Sequence, residues 1–424
     1  MLQRVLVILG ILGLPFLGRS QTVVKHQGYV PFGELPIHYR SENLSDPIAL
    51  LQNKLDRGEA KLNFEPGHGY LRSVLAALGI PVNSQTLVFS KTSFQYPKIS
   101  PERPRALYFN DDVYVGQVDG GHALEFVSFD PMQGAIFYVL DEQQSERPVF
   151  ERALLDCVQC HVAASTKAVP GVMLRSVFTS PSGTQAGGTP SYITGHESPI
   201  KDRWGGWYVT GAAAKAVHMG NTITRNGAAE RARALDTSAY LTHTSDAVAH
   251  LVLAHQTQMH NLITQTNYQT RLALAKEPNG LSDAGRLQFE RPAEQLVRYL
   301  LFANEAPLDG AIEGQSPFAE GFAAKGPRDA SGRSLRDFDL RTRIFKYPCS
   351  YLIYSEAFDA IPEPAKSYVY RRLLEVLTGR EQGPEFASLS GEDRRAILEI
   401  LIATKPGLPE EWKKSITEGE EYQQ

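Results

Sequence analysis

The chain has 424 residues, 42% of them hydrophobic, with 35 glycines and only three cysteines. That length can bury a substantial core and predicts two or three domains. A net charge of −4 and a pI near 6.3 give no electrostatic reason for a nucleic-acid or anionic-membrane partner.

In chain order, residues 1–20 read as a secretory leader. Arg4 supplies the positive end, residues 5–17 an apolar run interrupted by Pro15, and Gly18 and Ser20 the small residues before a cut at Gln21. The run is too short to span a bilayer, and no cysteine follows it for lipid attachment. The expectation is a periplasmic or otherwise exported chain with no integral membrane span after cleavage.

Residues 21–148 predict an N-terminal α+β domain. Asp46 caps a helix that begins at Pro47, buries Ile48, Leu51 and Leu55 and stops at Gly58. A second helix covers residues 70–78, ahead of Gly79. The period then becomes extended. Runs at 86–90, 106–109, 113–118, 123–129 and 135–140 are separated by Asn110-Asp111-Asp112, Asp119-Gly120-Gly121 and residues 130–134, which predicts an antiparallel β-meander. Residues 149–155 read as a short helix.

That stretch leads into Cys157-Val158-Gln159-Cys160-His161, a C-x-x-C-H pentad that reads as a covalent attachment site for one c-type haem. Two thiols three positions apart can both add to vinyl groups on one edge of a porphyrin, and the adjacent imidazole becomes the proximal iron ligand. Its other ring nitrogen needs a carbonyl or carboxylate acceptor, and the turn at Val169-Pro170-Gly171 is near enough to supply one. A thiol-disulfide site or a zinc site is the competing reading. The latter lacks a fourth ligand at matching spacing, since the remaining cysteine, Cys349, lies in an apolar and aromatic run and reads as buried.

Residues 149–285 form the predicted haem-binding region. Its irregular part, 170–210, holds Arg203, Trp204 and Trp207, which suit a loop covering the ring, with Arg203 able to pair with a propionate. Candidates for the second axial position are His218, Met219 and Met259, then His255, His196 and Met173; an open position is the alternative. A long helix begins behind Ser245-Asp246, with Val248, Leu251, Val252, His255, Met259, Leu262 and Ile263 on one face. His243, His250, His255 and His260 do not share a helical face and read as packing and surface residues. Residues 286–424 predict a mainly helical region, with helices at 293–303, within 336–359 broken at Pro348, at 364–377 and at 391–403, then a charged, frayed tail after Pro409.

The words QTLVFSKTSF (85–94), RALYFNDDVYVG (105–116), the pentad, RWGGWYVTG (203–211), HMGN (218–221), HQTQMHN (255–261) and YPCSYLIYSEAF (347–358) together resemble a family of large exported bacterial proteins with a single cytochrome c-type haem motif. The resemblance implies a shared fold and one bound haem, and no known reaction. Similar sequences often carry Thr-His-Gly after the aromatic strand; here Gly211-Ala212-Ala213-Ala214 offers no histidine.

The leading expectation is an exported mono-haem c-type cytochrome that passes single electrons to an unknown periplasmic redox partner. The alternatives are a peroxidase-like haem oxidoreductase, in which His218 or Arg203 acts beside an open iron, and a non-haem binding or scaffold protein.

Overall fold

The computed structural model describes residues 32–154, 157–213, 217–308 and 310–421, so the leader predicted at 1–20 lies outside the described residues. The architecture is α+β, with an antiparallel sheet in the N-terminal half and helices dominating the C-terminal half.

Helix α1 (Pro47–Asp56) starts where the Asp46 carboxylate accepts from the amides of Ile48 and Ala49, satisfying two of the donors that a helix start leaves open. α2 (Leu71–Ala77) follows. The meander comprises β1 (Thr86–Val88), β2 (Arg105–Phe109), β3 (Val113–Val118), β4 (Ala123–Asp130) and β5 (Gly134–Asp141), each antiparallel to the next. Two further strands extend it. β6 (Phe150–Arg152) adds to β5, where a helix was expected; Phe150 turns inward and Glu151 outward, the two-residue alternation of a strand. After α3 (Val158–His161) and the hairpin of β7 (Arg175–Val177) and β8 (Ser191–Ile193), β9 (Trp207–Tyr208) returns to pair with β1. The sheet order is β6-β5-β4-β3-β2-β1-β9.

The register assigns each face. Leu87, Ala106, Tyr108, Val113, Val115, Leu124, Phe126, Ile136, Tyr138 and Leu140 share one face and pack with α1, α2 and the segment around Ile37 and Tyr39. Val88, Phe109, Tyr114, Phe129, Ala135 and Phe137 share the other, beneath residues 172–209 and the long helix α4 (Ala247–Lys276). Asp246 caps α4 through the amides of Val248 and Ala249.

The apolar stripe expected on α4 is too narrow. From Ala247 to Tyr268 every residue is buried, because the sheet, the pentad loop and the C-terminal helices surround it. Those helices are α5 (Asp283–Leu300), α6 (Phe318–Ala324), α7 (Glu356–Asp359), α8 (Glu363–Leu377), α9 (Gly391–Thr404) and α10 (Glu410–Glu421). Three details differ from expectation. α5 starts ahead of residue 293, behind a Ser282 cap, and tolerates Pro292 inside it. The expected helix at 336–359 is mostly irregular, because the Asp339 carboxylate accepts from the amides of Thr342 and Arg343 and fixes a turn. The tail beyond Pro409 is helical, anchored by Trp412, which is fully buried with its ring 6.1 Å from that of Tyr370. β6 belongs to the meander's sheet, and residue 285 lies inside α5.

Candidate functional site

β6 ends at the sheet edge and the chain then turns onto the face covered by α4. There Cys157 caps the single-turn helix α3, with the amides of Cys160 and His161 donating to the Cys157 carbonyl at 3.1 and 3.0 Å. Both thiols therefore sit on one helical turn, Cys157 half-buried and Cys160 exposed.

His161 is fixed from two sides. Its ring lies 4.8 Å from that of Phe137 on β5, and its Nδ1 is 2.8 Å from the Gly171 carbonyl oxygen. A carbonyl can only accept, so Nδ1 carries the proton and Nε2 keeps its lone pair. Burial moves the imidazole pKa downward; the Gly171 carbonyl opposes this, and Arg105 and Glu125 act in opposite senses. The neutral form, which binds metals, is thereby favoured.

The loop from His161 to Gly171 closes on itself. The Gly171 amide donates to the His161 carbonyl at 3.1 Å, and the buried Thr166 hydroxyl bridges the Ala163 amide and the Val169 carbonyl at 3.0 and 2.9 Å. Lys167 and Ala168 both take left-handed backbone angles, φ 59° and 60°, which cost roughly 1–2 kcal/mol per residue without glycine. Outside support offsets that cost.

The support comes from one stripe of α4. Asn261 pairs with Val172 like a strand, accepting from its amide at 3.0 Å and donating to its carbonyl at 2.7 Å. One turn to either side, Gln258 and Gln265 donate to the carbonyls of Ser165 and Lys167 at 3.5 and 3.2 Å. Gly171 is required by this fit: a Cβ there would stand 2.1 Å from Asn261 Oδ1. Sequence reading missed these three residues. Their signal is an uncharged amide at positions i, i+3 and i+7 of a helix otherwise able to bury that face.

The other candidates lie in separate places. His218 and Met219 belong to the aromatic turn: the His218 ring meets Trp204 edge-on at 5.1 Å, and Met219 Sδ accepts from Ser176 Oγ at 3.6 Å. His196 and His255 form a buried pair with Nδ1 atoms 2.9 Å apart, stacked with Tyr299 and Phe302, and His255 Nε2 lies 2.8 Å from Ser350 Oγ. Met259 is fully buried on α4. Met173 stays beside the proximal loop, its sulfur accepting from Ser165 at 3.1 Å.

One expectation fails on burial. Arg203 has no exposed surface and donates through Nε and Nη2 to the carbonyls of Ser198 and His196 at 2.7 and 2.8 Å, so it is held inside the core, away from the surface where a propionate would lie. The histidine series divides into surface and packing residues as expected: His243 is exposed, while His250, His255 and His260 are buried, and His260 stacks on Phe129 with ring centroids 3.7 Å apart.

Tested against a c-type haem, the pentad fits: two thiols on one turn, a neighbouring imidazole with its tautomer fixed, and an aromatic floor. A zinc reading lacks such support, since among the described residues no three His, Cys, Asp or Glu side chains converge as metal ligands, and Cys349 is buried with its thiol pushed up to about 12. Among the described residues no helix is long and apolar enough to cross a membrane. Comparison of the chain with protein-family models, curated proteins and solved structures returned no match.

Proposed function

We propose that this chain is an exported mono-haem c-type cytochrome that passes single electrons to a redox partner. One observation carries the reading: a C-x-x-C-H turn whose histidine Nδ1 is held by the Gly171 carbonyl, which leaves the lone pair on Nε2. A bound haem supplies the one-electron ferric–ferrous couple.

The protein's part is to hold and shield. Cys157 and Cys160 tether the ring, and His161 ligates through Nε2. The Gly171 carbonyl raises the basicity of that imidazole and fixes its plane, while Phe137 keeps water from one side of it. Asn261 acts through the loop, keeping the acceptor carbonyl in place.

The test is to express the full chain in an export-competent host with haem-maturation machinery. One haem per chain that survives denaturation, lost in Cys157→Ser/Cys160→Ser, and a single one-electron couple on redox titration are expected. A colourless product, or a disulfide between the two cysteines, overturns the proposal. Spectra unchanged by cyanide or peroxide in both oxidation states separate an electron carrier from a haem oxidoreductase.

A further inference from the structure

Resting on that reading, we propose that the pentad-facing side of the sheet carries the porphyrin's seat: a window floored by Leu107, Val127 and Val139, in which Arg105 pairs with a propionate. Central strands normally have both faces covered, and most of this face is. Phe109, Tyr114, Phe129, Ala135 and Phe137 are buried. Beside β1, Trp207 is buried and bonds through Nε1 to the Arg175 carbonyl of the β7–β8 hairpin at 2.8 Å. Between these covers, Leu107, Val127 and Val139 on β2, β4 and β5 remain partly exposed, in the middle of a seven-stranded sheet.

The window borders the iron ligand. Val127 pairs directly with Phe137, the residue against which the His161 ring rests. Gly116 lies within the window, opposite Leu107 on one side and Glu125 on the other. A Cβ at Gly116 would stand 2.2 Å from Arg105 Nη2, so the missing side chain is what lets the Arg105 guanidinium cross β3 to Glu125.

The polar rim matches the ring's chemistry. Arg105 and Glu125 form an ion pair, and Arg105 Nε has no hydrogen-bond partner. Glu125 is held independently by Ser93 and by Gln95 Nε2, the latter at 2.9 Å, so it stays in place when Arg105 turns toward a second carboxylate. A flat apolar ring with carboxylates at one edge covers the Leu and Val side chains and meets a guanidinium fork at the margin.

Radiolytic hydroxyl-radical footprinting of the full chain, with and without attached haem, tests the seat. Oxidation of Leu107, Val127 and Val139 several-fold slower in the loaded protein is expected, with Met132 and Leu287, exposed elsewhere, unchanged. Arg105→Gln should keep one covalent haem and shift the redox equilibrium about tenfold toward ferric, 59 mV for one electron; Arg105→Lys should restore part of it. Attached haem with equal footprints at the three positions, or with an unmoved potential in Arg105→Gln, overturns the seat alone. A wild-type chain without haem overturns the electron-carrier reading and the seat together.

Discussion

Asn261→Leu removes the clamp on the proximal loop while keeping the branching and heavy-atom count of the side chain. In the wild type the Asn261 amide satisfies the buried Val172 N–H and C=O at 3.0 and 2.7 Å, with no exposed surface on Asn261 itself. Leucine strands both backbone groups, at about 1–3 kcal/mol each, so a loss of roughly 2–6 kcal/mol of unfolding free energy is predicted. Denaturant unfolding of the haem-free chain measures it. In the loaded protein the Gly171 carbonyl, one residue from the released Val172, grips the His161 N–H less firmly. The imidazole becomes a weaker base, the ferric form loses support, and potentiometry should find the midpoint raised. Unfolding energy within about 0.5 kcal/mol of wild type, together with an unmoved midpoint, would refute the clamp.

Three further outcomes are expected. Gly171→Ala drives a Cβ into Asn261 Oδ1 and should cost about 1–3 kcal/mol; the cost should shrink in an Asn261→Ala background, and an additive double-mutant cycle would contradict the contact. Trp412→Ala empties a fully buried site and should cost about 3–5 kcal/mol, with hydrogen exchange showing loss of protection in α10 first; protection equal to wild type would count against the anchor. Burial raises the Glu305 carboxyl to about 7, against the Ile344 amide, Arg203 and Arg343, with Asp339 adding to the rise. A carboxyl raised in the folded state contributes in full below its unfolded pKa near 4.3 and loses that contribution as pH climbs to about 7. Glu305→Gln should therefore gain up to about 3 kcal/mol on wild type between pH 4.5 and 8; a difference independent of pH would refute it.

What could be read from sequence was local. Asp46-Pro47 announces α1 because cap and first turn lie within three residues of each other, and the hairpin turns set the meander's strands within a few residues of their observed ends. The Val169-Pro170-Gly171 turn could be matched to His161 because ten residues of loop can return only so far. What escaped depends on distant partners. β6 has three residues, too few for its alternation to be read from sequence, and β9 is a strand only because β1 lies beside it. The polar residues of α4 look solvent-facing, yet most find a backbone or hydroxyl partner inside: Gln256 bonds the Asn110 carbonyl at 2.7 Å and accepts from Tyr351 at 2.6 Å. Arg203 looked available for the same reason. Trp412, an isolated tryptophan in a charged tail, gave no periodicity to read.

The pairing of Leu87 with Tyr208 joins positions about 120 residues apart, the kind of long-range closure that slows assembly. Strands β1 to β6 need no such closure and should zip first. The stretch running from one margin of the sheet to the other, with both sulfurs near its start, is then pinned later, when β9 docks and α4 packs against it. On the proposed reading, haem attachment to those sulfurs would have a kinetic opening before the last strand arrives, and a variant that speeds this docking should yield more permanently unmodified chain.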